Sequence, residues 1–315
     1  MKHILTPLAL TLIAAPALAQ DKMTVMLDWF INPDHGPIIL AEEKGYFTEA
    51  GLEVELISPA DPNDPPRMVA AGRVDLAVSY QPELHLAQRE GLDLRRVGTL
   101  VETPLTCLVV RADGPVKEMA DLKGRKVGFA VAGVQEMLLD AMLSHHGVTP
   151  SEVEQINIGW SISPALMSGQ VDGVIGAFRN FELNQMQIEG HEGRCFYPEA
   201  EGVPAYDELI YVAHAEDMDR EMIARFLRAT ERAAADIVND PAASGETFFA
   251  SDAELRNELN TRAWEDTWPR FATRPAAVDH GRYDRFEAFM QESGVVETVI
   301  PAADLVVDVT AQAKP

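Results

Sequence analysis

Two segments of this 315-residue chain carry the same short pattern, each at the junction of a helix-like and a strand-like stretch. Residues 71–78 and 168–175 both read as a small residue, glycine, any residue, Val-Asp, two further residues and an apolar residue. Gly51 and Gly147, which end predicted helices, lie almost as far apart as the glycines of the two segments. This spacing indicates one architecture used twice; chance similarity of common helix–strand patterns is the alternative.

Strand-like and helix-like stretches alternate along most of the chain. Residues 23–27 form a short apolar run, and residues 52–57 alternate apolar and acidic side chains, which are two strand patterns. Between them Pro37 begins a helical stretch that Gly51 ends. Short alternation of this kind predicts an α/β fold, in which mostly parallel sheets are flanked by helices and joined by right-handed crossovers.

Two extended crossings are predicted to join two such lobes. Strand-like residues 105–110 lead out of the first lobe, and residues 208–213 lead back into it. The C-terminal third, which is predicted to be helical over residues 219–238, 253–271 and 282–291, completes the first lobe. The predicted boundaries are residues 20–108 with 209–315 for the first lobe and 109–208 for the second. Because ligands of open parallel sheets bind beyond the carboxyl ends of strands, one cleft between the lobes is the expected site.

The N-terminus has the pattern of a secretory signal peptide. An apolar run over residues 4–18 ends in Ala17-Leu18-Ala19, which is an A-x-A cleavage site. The run is too short for a stable membrane anchor, and Gln20 rather than cysteine follows it, which argues against a lipid anchor. We expect residues 1–19 to be removed and the remainder to be a soluble periplasmic protein. An uncleaved N-terminal helix is the alternative.

The charge balance narrows the class of partner. Lys and Arg number 26 against 50 Asp and Glu, a formal net charge of −24. A surface of this sign repels nucleic acids and anionic membranes. It is compatible with neutral or weakly cationic small molecules.

Cysteine usage and short motifs give little support to a metal, cofactor or catalytic centre. Cys107 and Cys195 are the only cysteines, and export permits either a disulfide or two buried thiols. No cysteine–histidine set has metal-ligand spacing. Phosphate-binding glycine loops, the G-x-S-x-G elbow and the H-E-x-x-H helix are also missing from the sequence. We therefore predict no metal, no cofactor and no catalytic residue.

The loop after the first predicted strand supplies three candidate ligand-binding residues. Trp29 can stack on a flat ring, a contact worth roughly 0.5–1.5 kcal/mol beyond area burial, or pack at the edge of the lobe. Asn32 can bind a ligand or cap the turn that follows. His35 can bind a ligand or lie at the surface.

Three further candidates follow the two repeated segments. Tyr80 lies where a strand meets a helix, so its ring is expected to face the cleft. The matching position in the second lobe places Asn180 and Glu182 in the first turn of a helix. The Glu182 carboxylate is either stabilised by the helix N-terminus or accepts hydrogen bonds from N–H groups of a ligand.

Three segments resemble the solute-binding proteins of ABC importers for thiamine pyrimidine precursors. They read L-D-W-F-I-N-P-D-H-G-P, A-E-E-K-G-Y-F-T-E-A-G-L-E-V-E-L and A-A-G-R-V-D-L-A-V-S-Y-Q-P-E-L. Two later segments, A-G-V-Q-E-M-L-L-D-A-M-L and G-A-F-R-N-F-E, look like the same family. The resemblance runs through most of the chain and is weakest after about residue 215. It implies the two-lobed type II periplasmic-binding fold with a two-strand hinge. The implied ligand is an aminopyrimidine in its formylamino or hydroxymethyl form.

The resemblance also implies roles for the candidate residues. Trp29 and Tyr80 become ring contacts, and Glu182 pairs with the aminopyrimidine edge. The resemblance implies ligand contacts less strongly for Asn32, His35 and Asn180. Arg179 departs from the pattern, because an aromatic residue is expected at that position in the relatives.

The sequence therefore predicts a monomeric periplasmic carrier that hands an aminopyrimidine to an ABC permease. A carrier for another solute, of the riboflavin, sulfonate or nitrate type, is the nearest alternative. An enzyme of the same fold that processes pyrimidines is the other. A fungal pyrimidine synthase of this fold carries a C-C-C-F-C run, which this chain lacks.

Overall fold

Two five-stranded mixed sheets form the framework of the protein in a computed structural model that describes residues 20–311. The strands are β1 (Asp21–Met26), β2 (Leu52–Ile57), β3 (Leu76–Ser79), β4 (Leu94–Val101), β5 (Thr106–Arg111), β6 (Lys126–Phe129), β7 (Glu154–Asn157), β8 (Gly173–Phe178), β9 (Gly193–Phe196) and β10 (Leu209–His214). The first sheet has the order β2-β1-β3-β10-β4 and the second β7-β6-β8-β5-β9.

Helices flank both sheets. They are α1 (Gly36–Glu43), α2 (Tyr46–Glu49), α3 (Pro65–Ala70), α4 (Gln81–Arg89), α5 (Val134–His145), α6 (Ile162–Met167), α7 (Glu182–Ile188), α8 (Arg220–Asn239), α9 (Pro241–Ser251), α10 (Glu258–Thr267) and α11 (His280–Glu292). In the described chain, residues 20–311, no helix is both long enough and apolar enough to cross a bilayer. The predicted signal peptide, residues 1–19, lies outside the described residues.

The two sheets share one topology. Four strands of each sheet run in one direction, and β10 in the first or β5 in the second runs antiparallel to both neighbours. Each reversed strand directly follows a crossing from the other sheet. The mostly parallel α/β architecture predicted from the sequence is therefore confirmed.

The repeated sequence pattern is a turn that leads into equivalent strands, β3 and β8. Gly72 and Gly169 have φ of 63° and 76°, a left-handed conformation that suits glycine. The aspartate of each pattern accepts a hydrogen bond from a backbone N–H of the neighbouring parallel strand. Asp75 accepts from Thr24 at 2.7 Å, and Asp172 accepts from Lys126 at 3.1 Å.

A buried carboxylate joins the two crossings between the sheets. Glu208, which is 1% exposed and directly precedes β10, accepts hydrogen bonds from the backbone N–H groups of Leu105 and Thr106 and from the Thr106 hydroxyl. The boundary predicted between residues 108 and 109 falls inside β5, and the one between 208 and 209 falls immediately before β10. The exact division into lobes remains a prediction.

The second sheet carries a disulfide. Cys107 on β5 and Cys195 on β9 are bonded, and these two strands are antiparallel neighbours. The sequence had left the choice between a bridge and free thiols open.

The C-terminal region differs from the prediction of one helix over residues 253–271. Instead, α10 lies between two short 3-10 turns, Ala253–Leu255 and Trp268–Arg270. Asn257 caps α10 by accepting a hydrogen bond from the Asn260 N–H at 2.8 Å, so the helix begins there. The prediction of a single continuous helix was wrong.

Candidate functional site

A narrow cavity of about 30 Å³, the inner cavity, lies where the carboxyl ends of parallel strands from both sheets meet. Loops after β1, β3, β6 and β8 line it, together with the start of α6. The lining residues are Asp28, Trp29, Asn32, Asp34, Tyr80, Val131, Gln135, Ile162, Gly176, Phe178, Phe181 and Glu182.

Aromatic rings from both sheets line much of the inner cavity. Trp29 and Tyr80 come from the side of the first sheet, Phe178 and Phe181 from the second. The rings of Tyr80 and Phe178 meet edge to face, with centroids 6.4 Å apart. These residues provide apolar surface suited to a flat ring.

Asp28 anchors the side of the cavity formed by the first sheet. Its carboxylate accepts from the Tyr80 hydroxyl at 2.9 Å and from His35 Nε2 at 3.0 Å. The Asn32 backbone N–H donates to His35 Nδ1 at 3.3 Å, so Nδ1 is the acceptor and Nε2 carries the proton. His35 is fully buried behind Asp28 and orients it rather than lining the cavity.

Asp34 connects the two sides of the site. Its carboxylate accepts from Asn180 Nδ2 at 2.6 Å, and Asn180 comes from the loop after β8. The same Nδ2 contacts the Thr267 hydroxyl at 2.6 Å. Burial raises the pKa of Asp34 to about 6, although neighbouring His35 and Asn180 act in the opposite direction. Asn180 lies behind Asp34 and does not line the inner cavity.

Glu182 is the first residue of α7 and faces the same cavity. Its side chain accepts from the Phe178 backbone N–H at 2.6 Å and is 8% exposed. Burial raises the pKa of Glu182 to about 8; the hydrogen bond from Phe178 lowers it, and the nearby charge of Asp34 raises it. Part of the carboxyl group is thus occupied by a hydrogen bond from the last residue of β8.

The inner cavity holds three buried carboxyl groups and no balancing cation. Its lining includes Asp28, Asp34 and Glu182, and none of its described lining residues is Lys or Arg. The nearby Arg179 instead binds Glu199 at 2.6 Å and donates to the backbone carbonyl of Thr106. The cavity therefore suits a ligand that donates hydrogen bonds.

A wider outer cavity of about 750 Å³ adjoins the inner one. The two share Trp29, Phe181 and Glu182 among their lining residues. At their junction the Trp29 ring lies 4.1 Å, centroid to centroid, from the ring of Trp160, which follows β7 of the second sheet. This contact spans the cleft between the sheets.

Four of the six predicted site residues line the inner cavity: Trp29, Asn32, Tyr80 and Glu182. The other two lie directly behind it. Sequence reasoning missed Asp28, Asp34, Gln135, Phe178 and Phe181. The missed aspartates lie next to the residues chosen from the first loop, and the missed phenylalanines lie on either side of Asn180. Proximity along the chain to a chosen residue was therefore the signal that could have found them.

Within the described residues, no group of three or more His, Cys, Asp or Glu side chains has the arrangement of a metal site.

Comparison with known proteins places these observations in a family. Residues 32–244 match the model of the NMT1/THI5-like family. A protein of Haemophilus influenzae named for thiamine biosynthesis is 46% identical over 299 residues, with 95% of each chain covered. The formylaminopyrimidine-binding protein of Halalkalibacterium halodurans is 34% identical over 225 residues, covering 71% of this chain and 68% of that protein. A 4-amino-5-hydroxymethyl-2-methylpyrimidine phosphate synthase of Schizosaccharomyces pombe is 27% identical, covering 81% of this chain and 77% of the synthase.

Solved structures agree on the fold. The periplasmic aliphatic sulphonate-binding protein SsuA of Escherichia coli superposes with a TM-score of 0.72 at 16% identity, covering 93% of this chain and 94% of that one. The alkanesulfonate-binding protein SsuA of Xanthomonas axonopodis gives a TM-score of 0.69 at 16% identity, with 92% and 99% covered. The predicted periplasmic-binding-protein fold is confirmed.

Proposed function

The chain belongs to the NMT1/THI5-like family, and on that premise we propose that it is a periplasmic solute-binding protein for an aminopyrimidine precursor of thiamine. In this proposal the protein delivers its ligand to an ABC permease in the membrane. The proposal includes removal of residues 1–19 on export.

The composition of the inner cavity carries the proposal. An aminopyrimidine has flat apolar faces and an edge with N–H donors. The faces match Trp29 and Tyr80, and the donors match the buried carboxyl groups of Asp28 and Glu182. A hydrogen bond to an ionised carboxylate contributes about 1.5–3 kcal/mol, and one to a neutral carboxyl group about 0.5–1.5 kcal/mol. Two such bonds, one aromatic contact and ring desolvation are consistent with micromolar affinity, about −8.2 kcal/mol.

The two sides of the cleft have separate roles in this mechanism. The first sheet supplies Asp28, with Tyr80 and His35 holding its carboxylate. The second sheet supplies Glu182. A ring bound between them contacts both sides, so its binding favours closure of the cleft. The inner cavity is narrow and lies between the two sides, so in this mechanism the cleft opens for binding and release.

An anion carrier is the less favoured alternative, although SsuA proteins that bind sulfonates share the fold. A sulfonate, nitrate or phosphate group needs hydrogen-bond donors and positive charge. The described lining of the inner cavity presents three carboxyl groups and no Lys or Arg. We therefore propose an unphosphorylated ligand.

A pyrimidine-phosphate synthase is the second candidate, because the S. pombe relative has that name. The same shortage of cationic side chains argues against a phosphorylated product in this cavity. Incubation followed by mass spectrometry separates the two functions. Recovery of intact aminopyrimidine supports the carrier, and chemical conversion supports the enzyme.

Calorimetry on residues 20–315 tests the proposal. We expect micromolar binding of 4-amino-5-hydroxymethyl-2-methylpyrimidine or its formylamino counterpart, and no binding of the phosphate ester. Failure of both aminopyrimidines to bind, or preference for the phosphate ester, would contradict the proposed ligand.

A further inference from the structure

Gln135 is a buried amide whose orientation the backbone determines. It lies in the first turn of α5, is 8% exposed and lines the inner cavity. Its Oε1 accepts hydrogen bonds from the backbone N–H groups of Ala130 at 2.7 Å and Val131 at 3.1 Å. Two N–H donors can face only the oxygen of the amide. The amide NH₂ group, Nε2, therefore points away from the backbone N–H groups of Ala130 and Val131.

A glycine on the neighbouring strand makes room for that NH₂ group. Gly176, on β8, has φ of +88°, and a Cβ built there would lie 2.1 Å from Gln135 Nε2. No side chain can replace glycine without displacing the amide. The close approach of these two residues from α5 and β8 positions Nε2 beside the cavity that both of them line.

We compared the amide and hydroxyl donors that line the inner cavity. Among them, Gln135 Nε2 has no hydrogen-bond acceptor in the described protein. The Asn32 amide donates to the backbone carbonyl of Phe30, and the Tyr80 hydroxyl donates to Asp28. Asp28, Asp34 and Glu182 are acceptors when ionised. The cavity thus combines several acceptors with one uncommitted amide donor.

We propose, on the basis of the function proposed above, that Gln135 determines ligand specificity by donating from Nε2 to a ring nitrogen of the bound ligand. A carboxyl group of the cavity accepts from the amino group of the same ring. The pair recognises a heteroaromatic amine, in which a ring nitrogen adjoins an exocyclic amino group. A carbocyclic aromatic amine of the same shape satisfies the carboxyl group and leaves Nε2 unpaired.

Gln135→Glu tests this role with little change in volume. One carboxylate oxygen still accepts from Ala130 and Val131, while the other replaces the donor with an acceptor. The probes are 4-amino-5-hydroxymethyl-2-methylpyrimidine and its benzene analogue, compared by calorimetry at a pH where the pyrimidine is unprotonated. We expect wild type to prefer the pyrimidine by about tenfold or more, and the variant to lose most of that preference.

Gln170→Glu is the matched control, because it adds the same charge at an exposed position in the turn between α6 and β8. It should retain wild-type affinity for both probes. Gly176→Ala is an independent variant that displaces the amide without adding charge, and it should reduce the preference in the same way. Circular dichroism and thermal melting establish that each variant is folded.

The outcomes separate this inference from the proposed function. No binding of the pyrimidine by wild type overturns the proposed function and the inference together. Equal wild-type affinity for the two probes overturns the role of Gln135 alone, and this measurement needs no variant. A variant that weakens both probes equally, so that the preference is unchanged, also overturns it.

Discussion

Glu182 has two roles to distinguish, because its carboxyl group both accepts from the backbone N–H of Phe178 at the end of β8 and faces the inner cavity. If it accepts from the amino group of an aminopyrimidine, Glu182→Gln should weaken binding by about 1–3 kcal/mol. Glutamine keeps an oxygen for the Phe178 N–H, so the fold should be retained. Calorimetry measures the change, with exposed Glu189→Gln at the end of α7 as the control. Wild-type affinity in Glu182→Gln would leave only the structural role of the bond from Phe178.

His35 and Asn180 show that a residue in a loop of the site need not line the cavity itself. His35 and Asn180 were selected because they lie in loops at strand ends. Their side chains are instead bonded to Asp28 and Asp34, which are the groups that line the cavity. Whether either contacts a ligand remains a prediction, since the structure places each behind a carboxylate. Hydrogen-bond partners of this kind come from different loops, and sequence spacing does not report them.

At the level of elements, the disulfide between β5 and β9 constrains the edge strand of the second sheet. It closes a loop with a sequence separation of 88 residues. Removing a bridge that closes a long loop increases the entropy of the unfolded chain, so the variant with Cys107→Ala and Cys195→Ala should lose about 2–5 kcal/mol of unfolding free energy. Urea denaturation measures the loss. The reduced wild-type protein should behave similarly, and unchanged stability in both would contradict the expectation.

Strand β4 shows why some elements escaped prediction. Its sequence contains the adjacent charges Arg95 and Arg96, which are atypical of a buried strand. Arg96 is nevertheless 2% exposed, and its guanidinium donates to the Thr99 hydroxyl and to the carbonyl of Pro275. The carbonyl acceptor comes from the C-terminal region, so no local pattern could reveal that the buried guanidinium has hydrogen-bond partners.

At the level of the whole molecule, Trp160 lies against Trp29 across the cleft, with ring centroids 4.1 Å apart. Because these residues follow strands of different sheets, their contact should slow release of a bound ligand. Trp160→Ala should raise the dissociation rate by roughly 2- to 10-fold, as expected from an aromatic contact of about 0.5–1.5 kcal/mol. Stopped-flow fluorescence measures this rate. Trp160→Phe should lie between wild type and alanine, and an unchanged rate in Trp160→Ala would rule out a retaining role.

The buried carboxyl groups predict how stability depends on pH in the unliganded protein. Burial raises the pKa of Asp34 to about 6, of Glu208 to about 7 and of Glu182 to about 8. Between the ordinary carboxyl pKa and these values the native state binds more protons than the unfolded state. Stability should therefore fall as the pH rises through this range.

Urea denaturation at about pH 5 and about pH 8.5 measures this loss. One pKa unit corresponds to about 1.4 kcal/mol, so the three groups together should lose several kcal/mol of unfolding free energy over this range. Glu182→Gln should reduce the dependence, because its amide does not titrate. Glu287, whose pKa lies near 2 because His85 and Arg89 donate to it against the opposing effect of burial, remains ionised throughout this range. Stability that rises with pH would contradict the prediction.

Local sequence was sufficient for the α/β alternation, the repeated turn before β3 and β8, and the strand ends that carry Trp29, Tyr80 and Glu182. Each of these follows from periodicity, from glycine conformation or from the rule that parallel strands end at a common edge. Tertiary structure alone decided the Cys107–Cys195 bond, the burial of Arg96 and the direction of the Gln135 amide. These depend on which distant segments meet, because a donor, an acceptor or a thiol is defined by a partner that lies elsewhere in the chain.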